Sequence, residues 1–466
     1  MAQLYFQFAI PDGQFREQLE IGNWTSPRLY NASSPGGSML SRRRILKLGS
    51  AAAGAALASP VKVASSENNC PALPPSIASL KSMKDQAKPI TTEERRERQE
   101  KARRLMADNK LGAILLTEGT SLTYFSGIHW GGGERLFAMV LPAKGNAFYV
   151  CPAFEEGRAR EQIAKGPGAE QADVRIWQED ESPYQKVAQG FTDRGLSTGT
   201  LGMEETVRFV FSQGIGKASP QVKIATATPV TAGCRMIKID HEVELMRLAA
   251  KVTLTAYDAA YRALNPGMTK PQLEEMVETA HTRLGFSGGA DVQVGEYSAF
   301  PHGSVTPQVI REGAIVLMDG GGNVEGYASD ITRTFVLGEP SDKMKTVFDI
   351  VHRAQTSALK TARPGLECQA VDAAARSVIT DAGYGPDYKF FTHRVGHGMG
   401  MDGHEWPYLV RGNTTPMSAN MTFSDEPGIY IRGEFGIRLE DDMHITENGA
   451  ELFTPQSPSL EHPFGK

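Results

Sequence analysis

The chain has 466 residues, enough for two or three domains, and its 40% hydrophobic share fits a globular protein with a sizeable core. Its 49 Lys and Arg against 54 Asp and Glu leave a net charge of −5, so electrostatics give no reason to expect a nucleic acid or an anionic membrane as partner. Four scattered cysteines (Cys70, Cys151, Cys234, Cys368) argue against a disulfide framework or a Cys-x-x-Cys metal pair, and no apolar run of 18 residues spells a stable membrane span.

Residues 1–38 are polar and aperiodic. Three arginines follow (Arg42, Arg43, Arg44), then a weakly apolar stretch over 45–57 and the small-residue triplet Ala56-Leu57-Ala58. Ser41-Arg42-Arg43-Arg44-Ile45-Leu46-Lys47 resembles a twin-arginine export signal, which implies export to the periplasm or cell exterior. If that leader does not function, the product stays cytoplasmic. Met39 stands two residues before the motif and marks a candidate true start. Residues 1–58 thus read as a leader, and 59–90, rich in Ser, Pro, Lys and Asn, as a linker.

Thr92, followed by Glu93 and Glu94, predicts a capped helix start, and the acids interleaved with arginines up to Arg104 make a solvated face. Short apolar runs over 112–116, 136–141 and 147–150 read as buried strands with helical patterns between them, for example over 155–164. The alternation predicts a smaller α/β domain over 91–235 with a mixed or parallel sheet. Gly214-Ile215-Gly216-Lys217 fails as a phosphate loop, because Phe211 and Ala218 occupy required positions. His241-Glu242 fails as a zinc-protease helix, because Leu245 stands where a second His is needed. His129-Trp130 before Gly131-Gly132-Gly133 is a bulky pair beside a flexible loop. An amphipathic helix over 236–265, stopped by Asn265-Pro266-Gly267, opens the second domain, 236–466.

The chemistry lies in the last third. The apolar strand 314–318 ends in Asp319, Gly320-Gly321-Gly322 follows, and Asp330 comes early in a second, β-branched strand. Adjacent antiparallel strands can bring these two carboxylates side by side. Two like charges at 4 Å cost roughly 4 kcal/mol at an effective dielectric near 20, and a cation between them reverses the sign. Downstream, His393, His397 and His404 put three of the ten histidines within twelve positions, among alternating glycines at 396, 398 and 400. Asp425-Glu426-Pro427-Gly428 and Gly436-Ile437-Arg438-Leu439-Glu440 complete the set, with Arg438 and Glu440 on one strand face. Four carboxylates and one imidazole without a thiolate suit hard or borderline divalent ions, and −4 is matched by two of them.

The run 317–335, the Gly-His-Gly stretch, Glu426-Pro427-Gly428 and Arg438-Leu439-Glu440 together resemble the creatinase/prolidase/aminopeptidase P family of pita-bread metallopeptidases over about 236–455. The resemblance implies an α+β molecule: an antiparallel sheet backed by helices as catalytic domain, preceded by a creatinase-like α/β domain. It implies Asp319, Asp330, His397, Glu426 and Glu440 as ligands of two divalent ions, Mn²⁺ foremost, with Co²⁺, Zn²⁺ and Fe²⁺ as other fits. Asp330 and Glu440 would bridge the ions, and Glu426 would act as base toward the bridging water. His302, seventeen positions before Asp319, and His404 would be catalytic and contact substrate, His393 would line the same pocket, and Arg438 joins the catalytic set. The implied activity is hydrolysis of the Xaa-Pro bond at the N-terminus of small peptides by a homodimer of aminopeptidase P or prolidase type. A metal-dependent lyase, another C–N hydrolase and a non-catalytic binding protein on the same fold stay open at this point.

Overall fold

The structure, a computed structural model, describes residues 72–465. The leader with its arginine motif lies outside the described residues.

The amino-terminal domain is built on a six-stranded sheet. Its first helix, α1 (Thr92–Asp108), is capped by Thr91: Thr91 Oγ1 accepts from Glu94 N (3.2 Å) while Glu94 Oε2 accepts from Thr91 N (2.7 Å). The cap therefore falls one residue before the expected Thr92, because the reciprocal bond needs an acid three positions on and Glu94 answers Thr91. There follow β1 (Ala113–Leu116), α2 (Thr120–Ser126), β2 (Ala138–Pro142), β3 (Phe148–Pro152), α3 (Glu156–Ile163), β4 (Asp173–Trp177), α4 (Pro183–Asp193), β5 (Thr200–Met203), α5 (Phe209–Ala218), β6 (Lys223–Thr226) and α6 (Thr228–Arg235). The strand order is β4-β3-β2-β1-β5-β6, mixed as expected: β1–β2 and β2–β3 are antiparallel, the other pairs parallel. Ala113-Ile114-Leu115-Leu116 is buried throughout because apolar clusters cover both sheet faces. Trp130 packs on Phe137 (centroids 4.0 Å apart) beneath Arg158, so the His129-Trp130 pair supplies a packing residue.

The second domain begins with α7 (Asp240–Tyr261) and α8 (Lys270–Leu284), then β7 (Ser287–Gly288), β8 (Asp291–Val294), β9 (Ile315–Gly320), β10 (Gly322–Val324), β11 (Tyr327–Ala328) and β12 (Ile331–Val336). Helices α9 (Asp342–Thr361) and α10 (Cys368–Ile379) precede β13 (Gly396–Gly398), β14 (Glu405–Leu409), β15 (Thr422–Asp425), β16 (Gly428–Ile431), β17 (Phe435–Arg438), β18 (Asp441–Ile445) and β19 (Ala450–Leu452). Every described pairing among these strands is antiparallel. One apolar cluster joins α7 and α8 to β8, β9 and β12, and another joins α9 and α10 to β15 through β18. Two helix pairs thus back two halves of a layer of antiparallel strands, the pita-bread arrangement. Between the halves, Glu440 N donates to Thr332 O (3.2 Å) and Arg333 Nη1 to Glu440 O (2.9 Å).

The stretch expected as a linker differs from Leu73 onward. A short helical turn, Pro75–Ala78, buries Ile77 against α7 and α8, Ser76 Oγ donates to Ala259 O (2.8 Å), and Met83 N to Leu284 O (2.8 Å). Isolated apolar residues among polar ones carry no periodic signal, yet three of them (Ile77, Met83, Ile90) fill the core. The two domains meet through buried ion pairs: Arg98 of α1 with Glu242 of α7 (3.0 Å), and Arg235 of α6 with Glu405 (2.5 Å).

Candidate active site

Strand register sets the first two carboxylates. Asp319 of β9 pairs with Thr332 of β12, and Asp330, two residues before Thr332, shares its face. The two aspartates are therefore diagonal neighbours, brought side by side as expected, with the Thr332 hydroxyl filling the position that faces Asp319 directly. Thr332 Oγ1 lies 2.9 Å from Asp319 Oδ1 and 2.5 Å from Glu440 Oε2, and accepts from Arg438 Nε (2.9 Å). Arg438 and Glu440 thus reach one point, as their shared strand face predicted.

From the other half of the sheet, β13 delivers His397 and the end of β15 delivers Glu426. His397 Nδ1 faces Gly398 O (3.1 Å), an acceptor, so this nitrogen carries a proton, and Nε2 points at Glu426 Oε1 (3.3 Å) and Asp330 Oδ2 (3.7 Å). Ligand-capable atoms fall into three mutually close groups: Asp319, Asp330 and Glu440; His397, Glu426 and Glu440; Asp330, His397 and His404. Within each group they lie within 4.8 Å of one another. All five expected ligands are brought together. His404 joins them too, its ring stacked on His397 with centroids 3.7 Å apart.

The electrostatics are those of a cation site. Glu440 is 1% exposed, and its Oε1 is buried with no hydrogen-bond partner among the described residues. Burial and the neighbouring Asp319 push Asp330 up to about 7, and burial with Asp330 pushes Glu440 up as well. Against the cost of burial, His397 and then His393 hold Glu426 below the usual carboxylate range. Four crowded carboxylates, one with an orphaned oxygen, fit a divalent cation's demand for oxygen donors.

The remaining expected residues ring this cluster. His393 Nε2 bonds Tyr430 OH (2.7 Å), and its Nδ1 lies 3.7 Å from Glu426 Oε2. His302 stands exposed on a turn, and Arg438 Nη1 pins that turn by donating to Pro301 O (3.0 Å). Arg438 is 2% exposed and commits its donors to Asp319, Thr332, Tyr430 and Pro301 O. Those contacts hold its guanidinium against the carboxylate cluster, beside Asp319. Sequence reading missed Thr332 and Tyr430. Period-two spacing from Asp330 was the available signal for Thr332; Tyr430 had none. It also missed Arg333, whose fully buried pair with Asp441 (2.6 Å) anchors the strand after Glu440.

Antiparallel strands backed by helix pairs, bringing four carboxylates and an imidazole together, fit a metal-dependent hydrolase. Residues 244–447 match the model of metallopeptidase family M24, and residues 98–237 match the creatinase/prolidase N-terminal domain. The chain is 31% identical over 370 residues to an Xaa-Pro dipeptidase from Lactobacillus delbrueckii subsp. lactis, covering 78% of this chain and 98% of that one. Among solved structures it is similar to dipeptidase PepE from Mycobacterium ulcerans (TM-score 0.75, 33% identity, 80% of this chain and 99% of that one). It is also similar to an X-Pro aminopeptidase from Thermotoga maritima (TM-score 0.64, 28% identity, 76% and 97%). The chain belongs to metallopeptidase family M24, with a creatinase-type amino-terminal domain, and the family implies divalent metal ions.

Proposed function

We propose that this enzyme is an exopeptidase that hydrolyses the Xaa-Pro bond at the N-terminus of short peptides, using two divalent cations, Mn²⁺ foremost. The observation that carries the reading is the convergence of Asp319, Asp330, His397, Glu426 and Glu440 around an unpartnered carboxylate oxygen. The similarity to an Xaa-Pro dipeptidase along nearly its whole length supports the substrate class. Bound at that cluster, divalent cations acidify water and polarise a carbonyl.

The chain's own residues do the rest. Glu426, kept ionised by His397, is placed to take a proton from the attacking water. His404, exposed and stacked on His397, and His302 at the rim hydrogen-bond the oxyanion that develops and deliver a proton to the departing nitrogen. Proline's nitrogen has no hydrogen to donate in the bound peptide, so recognition falls on ring shape and on the flanking groups. His393, fixed by Tyr430, lines that wall.

Ala-Pro and Arg-Pro-Pro, offered to Mn²⁺-loaded protein, test the proposal. Cleavage of the dipeptide alone makes it a prolidase, and of the tripeptide alone an aminopeptidase P. Cleavage of neither overturns the reading in favour of a lyase or binding protein. The domain division at residue 235, the homodimer and the exported location belong to the same proposal. Light scattering checks the dimer, and fractionating cells that express the chain with Arg42, Arg43 and Arg44 changed to Lys checks export.

A further inference from the structure

The Gly320-Gly321-Gly322 run between the two aspartates has no part in the chemistry above. Behind it lies a buried polar chain that does touch it. His281 of α8 is fully buried, and its Nδ1 lies 2.9 Å from Val277 O, which only accepts, so Nδ1 carries the proton and Nε2 must accept. Nε2 is 3.1 Å from Thr253 Oγ1 on α7, which therefore donates to it. The Thr253 oxygen in turn accepts from Ser329 Oγ (2.9 Å), and Ser329 Oγ accepts from Gly322 N (3.0 Å). The Val277 carbonyl fixes the direction of the His281–Thr253 bond, and Ser329 Oγ also faces Gly322 O at 3.5 Å. Burial holds His281 below its ordinary value, which keeps the imidazole neutral, as that direction requires.

The glycines make the contact possible. A Cβ on Gly322 would sit 3.0 Å from Thr253 Oγ1, and one on Gly288, its partner across the β7–β10 ladder, 2.3 Å from His281 Cδ2. On Gly321 it would meet Ser329 O at 1.7 Å. Side-chain-free backbone is thus pressed onto the polar chain where the arm carrying Asp319 turns into the arm carrying Asp330.

We infer that His281, Thr253 and Ser329 are positioning residues that fix the spacing of the Asp319 and Asp330 arms and so set the cluster's affinity for cations. The inference rests on the metal-centre reading above. Thr253→Val keeps the side chain's shape and removes both bonds of the middle link. The full chain, freed of metal, is titrated with Mn²⁺ by calorimetry, and the visible absorption bands of the Co²⁺-loaded protein are recorded. Cation binding in Thr253→Val is expected to weaken by about 10–100-fold, with shifted Co²⁺ bands, and Thr253→Ser restores both. Ser329→Ala, which breaks the next link, is expected to act alike and serves if Thr253→Val fails to fold. A folded Thr253→Val or Ser329→Ala protein with native affinity and native bands overturns the inference. Native protein that takes up no cation overturns the metal-centre reading itself.

Discussion

Replacing Asp330 by Ala takes a carboxylate out of two of the three ligand-capable groups at once, those with Asp319 and Glu440 and with His397 and His404. Activity in Asp330→Ala is expected to fall by about 10²–10³-fold or more, on the scale of losing one electrostatic stabiliser, while the protein stays soluble. Peptide hydrolysis and metal analysis on the same sample check this. His404→Ala separates proton transfer from ligation: turnover is expected to drop by about 10²–10⁴-fold with bound cation retained. Cation loss there would move His404 into the ligand set, where its place beside Asp330 and His397 gives it the geometry. Asp319, His397 and Glu426 carried a local signal, each standing beside glycine or proline, whereas Asp330 and Glu440 became legible as ligands only through the family resemblance. Thr332 was not legible, since a hydroxyl's meaning comes from partners, here Arg438 and Glu440, that reach it from over 100 positions away.

Among elements, the helix that opens the amino-terminal domain shows what local sequence resolves and where it slips. The acid-rich first turn and the hydroxyl were both visible, but two threonines in a row left the cap's identity to the three-residue spacing of the Thr91–Glu94 exchange. Thr91→Ala is expected to cost about 1 kcal/mol and Thr92→Ala much less, measured as shifts in the denaturation midpoint. The apolar strands β1, β2 and β3 were legible within two residues at each end because buried strands read as unbroken apolar runs. The diagonal placement of Asp319 and Asp330 was not, because register in the β9–β12 pair is fixed by its turn and core packing, which periodicity alone does not encode.

On the scale of the whole molecule, the two domains are held by charges as well as by apolar contact. Arg235 and Lys238, against the cost of burial, hold Glu405 below its ordinary 4.5. A carboxylate lowered in the folded state contributes stability that is present above pH 4.5 and lost as pH falls through its lower folded value. Acid unfolding below pH 4.5 is therefore expected to release this contact, and Arg235→Met, which leaves Glu405 buried beside Lys238 alone, is expected to destabilise by about 3–5 kcal/mol. Denaturant melts at pH 7 and pH 4 check both. The most direct test of the account counts cations: protein freed of metal is titrated with Mn²⁺ beside its Glu440→Ala variant. Two equivalents per native chain, falling to one or fewer in the variant, is the predicted result; a native chain that saturates at one equivalent or fewer would contradict it.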